Sequence, residues 1–274
     1  FLNISIFGNT NNYPLRLALA LKFLGHNIKL IINRKDPLHR PESLYPQYRI
    51  GYPHWIYDFS DIKENDYVYE NYNIYNVIDV LDNNTDFAIL NDIGLSLSKY
   101  ISKPHIAFLT GSDLSYFANF NTLKFISKKW DNEYKRSSLG RGILEKYASL
   151  ILRQRSGIAT AKKIYHMDRG LLKMHDELLD DLGIEDSMKI FFQMSNLQDL
   201  EILTPPKNTI LTLLNGARID FKDLSEHTSI IDLKGTQILL EGVEKFIKKG
   251  NKLILRMFLK GKDIDIANKL ISKF

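Results

Sequence analysis

Two passages of this 274-residue chain place polar and glycine residues where a strand-like run gives way to a helical one. The first reads Asn215-Gly-Ala-Arg218-Ile and then Asp232-Leu-Lys234-Gly235-Thr236-Gln237. A strand pattern from Thr209 to Leu214 stops in the turn that carries Arg218, and Lys234-Gly235 stands just ahead of a helical pattern. Arginine supplies forked donors and lysine a point charge. With Thr236 capping the helix, its free N–H groups add to the positive field. That combination suits an anion, most often a phosphate, although two solvated loop cations would show the same spacing. The second passage is Gly8-Asn9-Thr10-Asn11-Asn12-Tyr13-Pro14, between a strand and a helix. Open α/β sheets bind ligands at such a turn. It lacks the Gly-x-Gly-x-x-Gly spacing of a dinucleotide site, and a tight polar turn is the competing reading.

Carboxylates come next. Thr110-Gly111-Ser112-Asp113-Leu114 ends another strand pattern, and Asp113 is either a catalytic acid or a cap for the helix that follows. Asp92, just past a further strand, is a second carboxylate within reach of the same side. Asp263-Ile-Asp265 has the look of a metal motif, but it lies at a helix start, where the dipole favours acidic residues anyway. His39, His54, His105, His166, His175 and His227 have no ligand spacing and cysteine is absent, so no metal is expected. A Gly-x-Ser-x-Gly nucleophile elbow is also missing.

The segment from Thr209 to Phe274 resembles the donor-binding part of the large retaining glycosyltransferase family with the GT-B fold, and the rest of the chain resembles it more loosely. The resemblance implies that Arg218 and Lys234-Gly235, with Thr236, hold the diphosphate of a nucleotide sugar. It implies that Gly8, Asn9, Asn11, Asn12, Tyr13, Gly111 and Ser112 line the acceptor side of a cleft, with Asp113 and Asp92 as candidate catalytic carboxylates. The implied reaction moves a sugar from a nucleotide diphosphate sugar to an acceptor hydroxyl, with retention and without metal or other cofactor. A bacterial surface glycan or a lipid-linked saccharide is the implied acceptor. Two departures stand out. Gln237 replaces an aspartate common after Lys-Gly-Thr, and Thr110 stands where a histidine often precedes the glycine. A sugar-nucleotide epimerase of the same fold and a non-catalytic binding module remain as alternatives.

The elements that must position these residues follow from periodicity. Strands are expected at Ile4 to Phe7, Ile28 to Ile32, Phe87 to Leu90 and Ile106 to Leu109. Further strands are expected at Gly157 to Ala161 and Ile190 to Gln193. A helix from Pro14 to Leu24, apolar nearly all round, is expected to be buried. Another spans Gly140 to Arg155, and a third runs from Leu171 to Leu182. The stretch from Pro37 to Tyr75 reads as a long loop with one short strand. Repeated βα units argue for a parallel sheet with helices on both faces. Pro205-Pro206 reads as a linker. We therefore expect an N-terminal Rossmann-like domain over residues 1–204 and a partial nucleotide-sugar-binding domain over 205–274, the latter with a helix from Ile238 to Lys249, a strand from Lys252 to Met257 and a helix from Ile264 to Ile271.

Bulk properties set the outer limits. With 44% hydrophobic and 25% charged residues the chain has the balance of a folded domain. No apolar run approaches the ~20 residues needed to cross a bilayer. A net charge of +5 is too modest to imply nucleic acid as a partner. Absence of cysteine fits a reducing, cytoplasmic setting. The mixed basic and aromatic stretch from Lys124 through Trp130, Lys135 and Arg136 to Arg155 suggests a peripheral site on the inner face of an anionic membrane, with an inward-packed helix as the competing reading.

Overall fold

Short runs rich in Ile, Leu and Phe form the strands, because both faces of a parallel sheet are covered by helices. A computed structural model describes residues 1–128, 130–166, 173–191, 211–215 and 236–257. Seven strands, β1 (Asn3–Phe7), β2 (Asn27–Ile32), β3 (Ile56–Asp58), β4 (Phe87–Leu90), β5 (His105–Phe108), β6 (Ile164–His166) and β7 (Lys189–Phe191), make one parallel sheet in the order β3-β2-β1-β4-β5-β6-β7. Chain order reverses between β1, whose Ile4 pairs with Ile28 on one side, and β4, whose Phe87 pairs with Ile4 on the other. This is the Rossmann-like α/β arrangement, and its switch point lies between β1 and β4.

Side chains alternate across the sheet with the two-residue period of a strand. Ile4 and Ile6 join Leu15 and Ala18 of α1 (Tyr13–Phe23) on one face. Phe7 points to the opposite face, among Tyr67 and Val68 of α2 (Glu64–Tyr69) and Ile74, Val77 and Leu81 of α3 (Asn73–Asp82). Ser5, also buried, is satisfied by Thr85, with the two hydroxyls 2.7 Å apart. Beyond β5 come α4 (Ser112–Ser115), α5 (Asn121–Ser127), α6 (Asn132–Arg136) and the long α7 (Ser138–Ala159), then α8 (Lys173–Asp181) ahead of β7.

Three expectations change. The stripe on α1 is not buried all round: Pro14, Leu15 and Ala18 are, while Phe23 is 91% exposed, because one face alone meets the sheet. The stretch expected as a strand at Gly157 to Ala161 is mostly the last turn of α7. Gly157 sits there so that the helix can press against the segment after β4, since a Cβ would lie 2.0 Å from the Leu95 carbonyl oxygen. The strand comes later, at β6. The supposed loop from Pro37 to Tyr75 contains β3, all of α2 and the start of α3. These elements are too short to show a clear period.

The chain divides into two compact units, Phe1–Ser195 and Asn196–Phe274. Pro205-Pro206 and the helix expected from Ile264 to Ile271 lie outside the described residues. In the second unit β8 (Leu211–Asn215) and β9 (Leu253–Met257) pair in parallel from Leu211 with Leu253 to Asn215 with Met257, and α9 (Thr236–Lys248) lies between them in sequence. Gly250, at φ +81°, ends that helix in the left-handed conformation that glycine adopts without strain.

Candidate functional site

The polar residues of the first unit gather at the C-terminal edge of the sheet, around the switch point. Each of β1, β2, β4 and β5 is apolar to its end and then releases a polar segment: Gly8-Asn9-Thr10, Asn33-Arg34, Asn91-Asp92, and Thr110 to Asp113. In a parallel sheet these segments must all emerge on one edge, so topology alone assembles them.

Asp92 is the hub. It is 1% exposed, yet it adopts the left-handed conformation at φ +59°, uncommon for any residue but glycine. Its Oδ2 accepts from Asn33 Nδ2 at 2.8 Å and Arg34 Nε at 2.7 Å. Its Oδ1 accepts from Arg34 Nη2 and from Ser112 Oγ, the latter at 3.1 Å. Those four bonds fill the lone-pair directions of a carboxylate. Gln154 of α7, fully buried, adds a bond from its Nε2 to the Asp92 carbonyl at 2.6 Å. The strained backbone is thus pinned from three sides, a pattern found at binding sites. Arg34 remains partly exposed while its fork is fixed. Burial works against the Arg34 charge, and the Asp92 carboxylate more than reverses that, so its pKa is raised.

Asp113 is engaged differently. It is 0% exposed and accepts from the backbone N–H groups of Thr110, at 2.8 and 3.1 Å, and Gly111, at 2.7 Å. It therefore holds the turn that leads into α4. Burial and the nearby Asp92 charge push its pKa up, the N–H groups pull it down, and the balance is about 6. Asn91 links the loops: its Nδ2 donates to Phe108 O, Thr110 Oγ1 and Asp113 Oδ2 at 2.7, 2.9 and 3.1 Å, and its Oδ1 accepts from Thr10 N at 3.2 Å. Gly8, at φ +87°, brings the first loop so close that a Cβ would lie 3.0 Å from Asn91.

The asparagines of the first loop are largely spent on the loop itself. Asn9 accepts from Leu15 N at 3.0 Å, which caps α1, and donates to Asn12 Oδ1 and His39 O. Asn12, also buried, donates to Arg40 O at 3.1 Å and Ser43 Oγ at 2.9 Å. Asn11 is exposed and Tyr13 half-buried. The Asn11 N–H donates to Nδ1 of buried His39 at 2.9 Å. Burial first and then Arg34 lower the His39 pKa, which favours the neutral ring. Two buried oxygens at this edge, Asn33 Oδ1 and Thr10 Oγ1, have no partner among the described residues. Such atoms are rare and mark a place where a polar ligand or water can bind.

Of the residues singled out in the sequence, Gly8, Asn9, Asn11, Asn12, Asp92 and Gly111 lie in the segments that follow β1, β4 and β5, Tyr13 opens α1, and Ser112 and Asp113 open α4. Arg218, Lys234 and Gly235 lie outside the described residues, and Thr236 is the first residue of α9. Sequence reading missed Asn33, Arg34, His39, Asn91 and Gln154. For Asn33-Arg34 a signal existed: a polar pair directly after a buried strand. For His39 and Gln154 none did. In the basic stretch, Arg153 and Arg155 are tied inward. Arg153 meets Glu70 at 2.9 Å and Tyr67 O at 2.7 Å, and Arg155 donates to Ala118 O at 3.2 Å. Among the described residues no helix is long and apolar enough to cross a membrane, and no group of three or more His, Asp or Glu is placed to hold a metal ion.

No family model matches the chain, and no curated protein matches it. Among solved structures it is similar to Phytolacca americana UGT2 complexed with UDP-2-fluoro-glucose and pterostilbene, at 10% identity and a TM-score of 0.37. The match covers 71% of this chain and 53% of that one, so the chain spans about half the length of that structure.

Proposed function

We propose that this chain belongs to a GT-B glycosyltransferase that moves a sugar from a nucleotide diphosphate sugar to a hydroxyl of a free or lipid-linked saccharide, with retention. The observation that carries the reading is the βαβ unit of β8, α9 and β9, whose connecting sequence between strand and helix holds Arg218, Lys234 and Gly235. Cations in the sequence between a strand and a helix suit a diphosphate, and neutralising that group as it leaves is the main electrostatic task of the transfer.

The polar edge of the first unit supports an acceptor role. Arg34, partly exposed, keeps Nη1 beyond the Nε and Nη2 that hold Asp92, and Asn33 Oδ1 and Thr10 Oγ1 are unfilled acceptors, the pairing a sugar hydroxyl needs. Asp92 and Asp113 in this reading are positioning residues, since each carboxylate is already filled by its own partners.

The test is a calorimetric screen of nucleotide diphosphate sugars against the wild-type chain and the variants Arg218→Ala and Lys234→Ala. One donor should bind, and each variant should weaken it by about 10- to 100-fold, the worth of a charge-assisted contact. Proton NMR of the product should show the anomeric configuration of the donor. Absence of binding by every nucleotide sugar would reject the reading.

A further inference from the structure

The carboxylates at the polar edge of the first unit differ in how their charge is met. Asp92 is held by Arg34, and Asp113 is enclosed by N–H groups. Glu64, the first residue of α2, is half-buried. The other two half-buried glutamates among the described residues of this unit each have a cation. Glu42 meets Arg40 at 3.1 Å, and Glu70 meets Lys99 at 2.7 Å and Arg153 at 2.9 Å. Glu64 has no cation at ion-pair distance among the described residues. The charge of Arg34 reaches it, but the Arg34 guanidinium is bonded to Asp92.

Phenols hold Glu64 in place instead. Tyr116, just after α4, donates to its Oε1 at 3.2 Å, and Tyr147 of α7 also hydrogen-bonds the carboxylate. These donors are neutral, so the imbalance of charge stays. Arg34 alone faces three carboxylates, Asp92, Asp113 and Glu64. Burial raises the Glu64 pKa above the ordinary glutamate value, and the Asp92 charge adds to this against the two phenols and Arg34. A positive charge seated on Glu64 would relieve both.

The unfilled atoms at this edge point the same way. Tyr67, 2% exposed and within the field of Asp92, has a hydroxyl with no partner among the described residues. Asn33 Oδ1 is also unfilled, while its Nδ2 donates to Asp92. An amide oxygen only accepts, and a phenol oxygen can accept. Such buried atoms call for a ligand rich in donors, and an ammonium brings three and no acceptor.

We propose that Glu64, framed by Tyr116 and Tyr147, is an ammonium-binding subsite of the first unit, and that the saccharide taken at this edge is an amino sugar with a free amine. The subsite stands on the first unit alone. Naming it as the acceptor's class rests on the glycosyltransferase reading. The ammonium pairs with Glu64, and the hydroxyls of the same sugar are left for Asn33 Oδ1 and Arg34 Nη1. An acidic sugar is disfavoured, since it adds negative charge where one guanidinium already serves three carboxylates.

Binding alone tests this, with no donor present. Amide chemical shifts of the labelled whole chain are followed on titration with glucosamine and its amino-position isomers, with glucose, and with glucuronate, in buffer acidic enough to keep the amines charged. At least one amino sugar should bind about 10-fold or more tightly than glucose, the worth of a charge-assisted hydrogen bond, and glucuronate should bind weakest. Glu64→Gln keeps the shape and removes the charge, so amino sugar and glucose should then bind alike. Glu64→Asp keeps the charge and should keep a preference for the amine, which separates a lost charge from a damaged fold. Equal affinity of wild type for glucose and every amino sugar, no binding of any amino sugar, or a preference that survives in Glu64→Gln overturns the proposal. The donor screen with the Arg218 and Lys234 variants is a separate measurement. Nucleotide-sugar binding without an amine preference sinks the subsite and leaves the glycosyltransferase reading standing. An amine preference without nucleotide-sugar binding supports the subsite and sinks that reading.

Discussion

The loops after β4 and β5 each bury an aspartate within reach of Asn91, and they use it in opposite ways. Asp113 is filled mainly by N–H groups of its own turn, one to three residues away, with Asn91 Nδ2 adding one bond from the β4 loop. Asp92 is filled by side chains from two other loops, Asn33 and Arg34 after β2 and Ser112 after β5. The first is chiefly a local staple, whose N–H bonds form whenever the turn forms. The second exists only when the sheet has brought three loops together, and it leaves a cation at the rim. The same residue type therefore marks structure in one loop and a candidate site in its neighbour, and its partners decide which.

The largest effect should come from breaking the tertiary cluster. Arg34→Met leaves a buried carboxylate without its cation and should cost about 3–5 kcal/mol in denaturant unfolding. Adding Asp92→Asn should restore much of that loss, because both charges are then gone. Asp113→Asn should cost less, about 1–3 kcal/mol, and should add independently to Arg34→Met if its bonds are local. Strong coupling between these two variants would break the distinction.

A third buried cluster, on the β6 side of the sheet, sharpens it with pH. His166 at the end of β6 and His175 of α8 are buried with their rings 6.2 Å apart. Burial, and then the neighbouring His166, lower the His175 pKa to about 4. An unfolded chain binds that proton near pH 6.5, so stability is complete above 6.5 and falls as pH drops toward 4. The loss should be about 3 kcal/mol, from 1.36 kcal/mol per pKa unit. In His175→Gln this slope should flatten, measured as melting temperature against pH. An unchanged slope would place the acid sensitivity elsewhere, with the carboxylates of the polar edge as the first candidates.

The smallest effects separate two glycines. Both have positive φ, but a Cβ at Gly8 would press on Asn91 at 3.0 Å, whereas one at Gly111 meets nothing within 4 Å. Gly111→Ala should cost about 1 kcal/mol from backbone strain alone. Gly8→Ala should cost about 1 kcal/mol more, because the β1 and β4 loops must move apart. Equal losses would show that the two loops yield freely.

The sequence by itself determined the α/β class, the strands β1, β2, β4 and β5, and the loops that carry polar chemistry. Buried parallel strands are short apolar runs, and the polar residue after each run is visible in one dimension. It also placed β8, α9 and β9 to within a few residues, since Gly250 and the flanking apolar runs mark their limits. Only the tertiary structure decided that Arg34 neutralises Asp92, that Asp113 faces its own turn, and that Gly157 is a helix contact rather than a strand start. The partners of Asp92 are 20 to 59 residues distant. Hydrogen bonds over such separations leave no periodic trace, because they depend on strand order, and strand order is set by packing the whole sheet.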